Sequence, residues 1–165
     1  MSRVLGIDPG IRCLGWGIVE SLGGDFRAVE AGIVQPPVDA PIAERLLHIE
    51  QALDALIARL APDTCAVENI FYHKNARSML MLGRAQAAAI LCAARAGLEL
   101  SLYSPSEVKQ ALTGSGRAGK EQVRFMVERI LNFDCGEQPD DLSDALAVAV
   151  CHAGRSRERA KGIEA

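Results

Sequence analysis

Residues 4–10 read Val4-Leu5-Gly6-Ile7-Asp8-Pro9-Gly10, and this stretch decides how the chain is read. An apolar strand ends on a carboxylate, and Pro9-Gly10 turns the chain at once. Asp8 is either a turn former or an acid mounted at a strand end. Residues 65–70, C-A-V-E-N-I, repeat the pattern with Glu68. A third place is D-D-L-S-D at 140–144, which opens an apolar helix continuing A-L-A-V-A-V. Asp141 and Asp144 stand at i and i+3 and share a face. Asp140 lies four residues before Asp144, so spacing does not choose between Asp140 and Asp141. An N-cap role accounts for one of these aspartates, but not for Asp144 inside the first turns.

The other elements build outward from these three places. Residues 13–20 read as a strand, with Gly15 and Gly17 on alternate positions, a sign of close backbone approach. Gly23-Gly24 turns the chain and residues 26–35 return, closed by Pro36-Pro37. Ile42, Leu46, Ile49, Leu53, Leu56, Ile57 and Leu60 recur at spacings of three and four, which predicts a helix between Pro41 and Pro62. Residues 75–96 predict a long helix ended by Gly97, and 99–103 a fifth strand. Ser104-Pro105-Ser106-Glu107 is a capping box opening a short helix to Leu112. T-G-S-G-R-A-G-K at 113–120 reads as a flexible basic loop leading into a helix over 121–131. A last helix is expected from about Asp141 to His152. The tail from Gly154 lacks periodicity and predicts disorder. The order β-β-β-α-β-α-β-α-α-α implies an α/β fold: a mixed five-stranded sheet, three antiparallel strands and then αβ crossovers, with helices on both faces. One domain over residues 1–153 and a disordered tail over 154–165 is the expected organisation.

Composition sets limits on function. The chain has 165 residues, 49% hydrophobic and 24% charged, which suits one domain with a sizeable core. The longest apolar run, residues 87–94, is far short of the ~20 residues needed to span a bilayer, so a cytoplasmic protein is expected. Five dispersed cysteines without a C-x-x-C pair are neither a disulfide framework nor a zinc site. Net charge is −3, but residues 71–127 hold eight bases against three acids, a net of +5 that leaves −8 for the remainder. Such a segment either presents a phosphate-binding face or spreads ordinary solvated charge.

If the three acidic places converge, they need cations. Like charges ~4 Å apart repel by ~4 kcal/mol at an effective dielectric near 20. Hard divalent ions with oxygen ligands, Mg²⁺ or Mn²⁺, are the natural partners, and a pair of them supports phosphodiester hydrolysis. His48, His73 and His152 have no zinc spacing.

Four stretches, in order, now carry a resemblance: G-I-D-P-G at the start, V-E-N-I-F-Y-H-K-N in the middle, V-K-Q-A-L-T-G-S-G-R-A-G-K further on, and D-L-S-D-A-L-A-V-A-V at the end. Together they resemble the RuvC Holliday junction resolvases over nearly the whole chain to about Gly154. The resemblance implies a ribonuclease-H-like fold. It also implies a structure-selective endonuclease that cuts four-way DNA junctions by paired nicks, leaving 5′-phosphate and 3′-hydroxyl ends, in recombination and repair. It implies two Mg²⁺ or Mn²⁺ ions on Asp8, Glu68, Asp141 and Asp144, which favours Asp141 over Asp140. Some relatives carry histidine at the Asp141 position; here the set is all carboxylate. A homodimer and cooperation with a branch-migration motor of the RuvA and RuvB type are implied as well.

Candidate substrate contacts follow. Phe71-Tyr72 after Glu68 either stack on an unpaired base or lid the core, and the resemblance favours Phe71 as a base-stacking wedge. Lys109 and Lys120 match lysines that the family places near the scissile phosphate. Lys74, Arg77 and Arg117 are further candidates for backbone contacts. The alanine-rich stretch 84–96 either packs on the sheet or joins two subunits. Two other readings stand beside the resolvase: a related nuclease for RNA or RNA–DNA hybrids, and a non-enzymatic phosphate-binding member of the same fold.

Overall fold

The computed structural model describes residues 2–70, 75–160 and 162. Strand β1 (Ser2–Asp8) pairs antiparallel with β2 (Leu14–Leu22), and β2 with β3 (Asp25–Val34). On the other side of β1, β4 (Thr64–Glu68) and β5 (Glu99–Tyr103) join in parallel, giving the order β3-β2-β1-β4-β5. The helices are α1 (Ile42–Leu60), α2 (Ala76–Arg95), α3 (Pro105–Thr113), α4 (Lys120–Leu131) and α5 (Asp140–Ala160). The mixed five-stranded sheet expected from the sequence is therefore present.

Strand alternation sorts the side chains into two cores. Leu5, Ile7, Cys65 and Val67 pack with Ile49 and Leu53 of α1 and Ala85, Ala89 and Cys92 of α2. Val4, Val19 and Ala66 face the other way, against Leu146 and Ala149 of α5, Val108 of α3 and Val127 of α4. Successive strand residues point to opposite faces. Asp8 therefore shares the α5 side with Val4, and Glu68 shares it with Ala66. Each fully buried aliphatic side chain here contributes about 1.5–3 kcal/mol.

Glycines set how close α5 comes. Gly15 is the register partner of Asp8, and Gly17 that of Gly6. A β-carbon on Gly15 would lie 1.8 Å from the Asp141 carbonyl oxygen, and one on Gly6 would lie 2.1 Å from that of Ala145. The first turns of α5 thus rest on bare sheet backbone.

Two expectations are corrected. The last helix does not stop near His152, and residues 154–160 are not a disordered tail: α5 continues to Ala160. Its polar end is held by charge rather than by apolar spacing. Arg155 donates to Glu107 Oε1 at 2.9 Å and lies over the Tyr103 ring, and Arg157 donates to the Gly24 carbonyl at 2.6 Å. The 113–120 loop, expected to be flexible, is laced down. Gln110 Nε2 donates to the Gly114 carbonyl and Gly116 N to Gln110 Oε1, each at 3.0 Å, and Ala118 is buried. The capping box is as read: Ser104 accepts from Glu107 N, and the Glu107 carboxylate accepts from Ser104 N.

Gly15→Ala should destabilise the protein by more than about 3 kcal/mol, because backbone cannot yield as a side chain does. Gly154→Ala, inside α5 with open space around it, should stabilise by about 0.5–1 kcal/mol. Urea unfolding monitored by circular dichroism checks both, and a destabilising Gly154→Ala would count against a continuous α5.

Candidate active site

Asp8 and Glu68 end adjacent parallel strands, and α5 brings its N-terminal turns over them. The result is a cleft of about 350 Å³ lined by Asp8, Glu68, Asp141, Asp144, Lys109 and Lys120, among others. All six residues expected to carry chemistry are brought together. Asp140, which spacing alone left in play, does not line the cleft. It turns toward α4, 3.7 Å from Arg124 and 3.9 Å from Lys120.

The charges in the cleft are poorly compensated. Burial first, then the neighbouring charges of Glu68, Asp144 and Asp141, pushes the Asp8 carboxyl up to about 9. Glu68 is raised as well, chiefly by burial, with Lys120 and Lys109 opposing. Asp144 is raised by burial and opposed by Lys120, whose Nζ lies 3.7 Å away. Contact between the two carboxyls raises Asp8 further and works the other way on Glu68.

Glu20 provides the contrast. It is a strand acid only 1% exposed, yet Arg3 and Arg27 each contact it at 2.7 Å. Those hydrogen bonds hold its carboxyl below the usual range. A buried acid with two guanidiniums is a structural ion pair; among the described residues, Asp8 has no cation of its own.

Backbone anchoring fixes the strand end that carries Glu68. Tyr103 is its register partner on β5, and Asn69 N donates to the Tyr103 carbonyl at 2.7 Å. Gln86 of α2 donates to the Glu68 carbonyl at 3.0 Å. Sequence reasoning missed Gln86, which looks like one more polar residue in an alanine-rich helix. It also missed Cys13, half-buried where the other four cysteines are buried. Burial and the nearby Asp141 push its thiol to about 11, so no thiolate joins the acids near neutral pH.

The donor set is hard oxygen throughout, which suits Mg²⁺ or Mn²⁺ rather than a thiophilic ion. Among the described residues, no three acids, histidines or cysteines close into a ready coordination shell. Lys120, 3.7 Å from Asp144, offsets only part of the charge in this arrangement.

The remaining candidates fall elsewhere. Phe71, Tyr72 and Lys74 lie outside the described residues. Arg117 is exposed on its loop and lines neither this cleft nor its neighbour. Arg77 lines the neighbouring cleft of about 690 Å³, together with Arg12 and Arg45, which the sequence reading did not single out.

Residues 4–152 match the family model for crossover junction endodeoxyribonuclease RuvC. The chain belongs to the RuvC family. A RuvC from Chloroflexus aggregans is 46% identical over 151 residues, covering 92% of each chain. One from Moorella thermoacetica is 44% identical, covering 94% of this chain and 96% of its own. The solved T. thermophilus RuvC in complex with Holliday junction substrate superposes with a TM-score of 0.90 at 35% identity, over 99% of this chain and 98% of that one. The yeast mitochondrial resolvase Ydc2, 16% identical with a TM-score of 0.69 over 97% of this chain and 84% of its own, shares the fold. The resolvase resemblance and the ribonuclease-H-like architecture read from the sequence are borne out. RuvC proteins are metal-dependent endodeoxyribonucleases, and this chain is one of them.

The raised Asp8 carboxyl gives a pH signature. Ionising Asp8 costs the folded state more than the unfolded one. Metal-free protein therefore loses stability as pH rises from about 4, the ordinary aspartate value, through about 9. Asp8→Asn removes that loss. In EDTA its melting temperature should exceed wild type at pH 8, with the gap closing toward pH 4 and shrinking when Mg²⁺ is added. A gap that does not change with pH would show that Asp8 carries no such burden.

Proposed function

We propose that this RuvC-family enzyme cuts four-way DNA junctions, with Asp8, Glu68, Asp141 and Asp144 holding two Mg²⁺ or Mn²⁺ ions. One observation carries the reading: four carboxylates from two strands and a helix converge in one cleft beside two lysines. Bound there, the ions supply Lewis-acid stabilisation of the attacking and leaving oxygens in phosphodiester hydrolysis. Asp8 and Glu68, at the ends of paired strands, form a rigid floor against which a scissile phosphate can be seated. Lys120, already bridging toward Asp144, and Lys109 across the cleft neutralise phosphate charge and stabilise what builds up in the transition state. Their position at the first turn of α4 and on α3 keeps both chains anchored while leaving the ammonium groups movable.

Phe71 and Tyr72 follow Glu68 by three and four residues, which supports a base-stacking role at the branch point. Lys74 and Arg117 supply further backbone contacts. A twofold pair of subunits matches a twofold junction, with each subunit nicking one strand. The surface of α2 supports such a pair: Leu80, Ala87, Leu91 and Ala94 form an exposed stripe at helical spacing, with Leu80 55% and Leu91 57% exposed. A motor of the RuvA and RuvB type, which moves the branch point, is the natural companion. No described helix is long and apolar enough to cross a membrane, and a cytoplasmic location is the reading that suits a DNA substrate.

A labelled synthetic junction, a matched duplex and an RNA–DNA hybrid, each with Mg²⁺, Mn²⁺ or EDTA, test the activity. Junction cutting only with metal, and binding without cutting in Asp8→Asn, are expected. Equal cutting of the hybrid would favour the RNA-directed alternative. For assembly, sedimentation at micromolar concentration should show a dimer for wild type and a monomer for Leu91→Glu. A monomeric wild type would remove the basis for paired cutting by a stable dimer.

A further inference from the structure

Three arginines from three separate elements meet in the cleft beside the carboxylates. Arg12 stands in the β1–β2 turn, Arg45 on α1 and Arg77 on α2. None of the three has a carboxylate within salt-bridge distance among the described residues. By contrast Arg3, Arg27, Arg59, Arg95, Arg124 and Arg155 are all paired with acids. Arg45 donates from Nη2 to the Ile11 carbonyl at 2.6 Å, while its Nε is buried with no hydrogen-bond partner among the described residues. A guanidinium held this way braces the turn that carries Arg12.

The two clefts adjoin, with Gly10, Leu82 and Asp141 in the wall of both. Lys109 and Lys120 enter from α3 and α4 on one face of the sheet. The arginines enter from the turn and from α1 and α2 on the other. Basic groups therefore flank the carboxylates on both sides of the strand ends, and one groove crosses the end of the sheet from face to face. A polyanionic strand laid along that groove meets lysines, then acids, then arginines.

We propose that the arginine cleft seats backbone phosphates of the cut strand, to one side of the scissile phosphate, with Arg12 and Arg77 as direct contacts and Arg45 as the brace. Planar guanidiniums suit phosphate oxygens through paired N–H donors. The seat fixes which phosphodiester lies over Asp8 and Glu68, so it is a positioning device. The inference rests on the DNA-cutting reading above.

The test pairs protein variants with charge-neutralised DNA. Junctions carrying a single methylphosphonate at each of the three positions on either side of the cut are bound to wild type, Arg12→Ala and Arg77→Ala in EDTA. Each variant should bind the unmodified junction about 5–10-fold more weakly, and the slope of log affinity against log salt should fall by about 0.9 per lost contact. On one modified junction, neutralised at the seated phosphate, variant and wild type should bind equally. Arg129→Ala, exposed on α4 away from both clefts, should match wild type throughout. Arg45→Lys should lose affinity as Arg12→Ala does, with Arg12 present but unbraced. Variant and phosphate losses that multiply independently at all six positions would overturn the proposal, as would wild-type affinity in both alanine variants. If wild type shows no preference for junction over duplex, the substrate reading fails instead, and the same coupling is then read on duplex.

Discussion

Backbone contact between α5 and the sheet is the constraint on which the site depends. A helix normally packs on a sheet through an intervening layer of side chains. Here Gly15 and Gly6 remove that layer under the first turns of α5, and the Asp141 and Ala145 carbonyls come down where methyl groups would otherwise stand. Asp141 and Asp144 thereby reach the ends of β1 and β4. A bulkier residue at either glycine would lift the helix and carry two of the four acids away from the other two.

That closeness brings charge into conflict. Four carboxylates compete for burial in one cleft; burial and mutual repulsion raise the Asp8 carboxyl, and Lys120 near Asp144 is a partial counter-charge. The same strand layer contains Glu20, whose charge is fully matched by Arg3 and Arg27. The fold can neutralise a buried acid where structure is the aim, and at Asp8 it does not. Functional sites commonly trade stability in this way.

Much of this was legible in the sequence, because the informative residues sit at places local rules recognise. An acid closing an apolar strand, twice, followed by acids opening an apolar helix, is a pattern that turn chemistry alone does not produce. Gly15 and Gly17 on alternate positions already signalled close approach. Other features were hidden for physical reasons. Asp140 and Asp141 are both spaced to share a face with Asp144, and only the contact of Asp140 with Arg124 of α4, while Asp141 lines the cleft, separates them. Arg12, Arg45 and Arg77 are 65 residues apart at their extremes, and no periodicity announces that a turn and two helices share one cleft. Gln86 matters through a hydrogen bond to a main-chain carbonyl, which leaves no trace in side-chain pattern. The end of α5 was misread because its residues are polar, and periodicity detects only helices held by apolar packing.

That polar end matters beyond the assignment of a boundary. Arg157 ties it to the Gly24 carbonyl and Arg155 ties it to Glu107 on α3, while the opposite end presses on Gly15. In mechanical language α5 is a beam fixed at both supports, not a cantilever. Its loaded end carries Asp141 and Asp144, and the stiffness felt there is set partly at Arg157, 16 residues beyond Asp141. A segment that reads as disordered in the sequence is one of the foundations on which the acids stand.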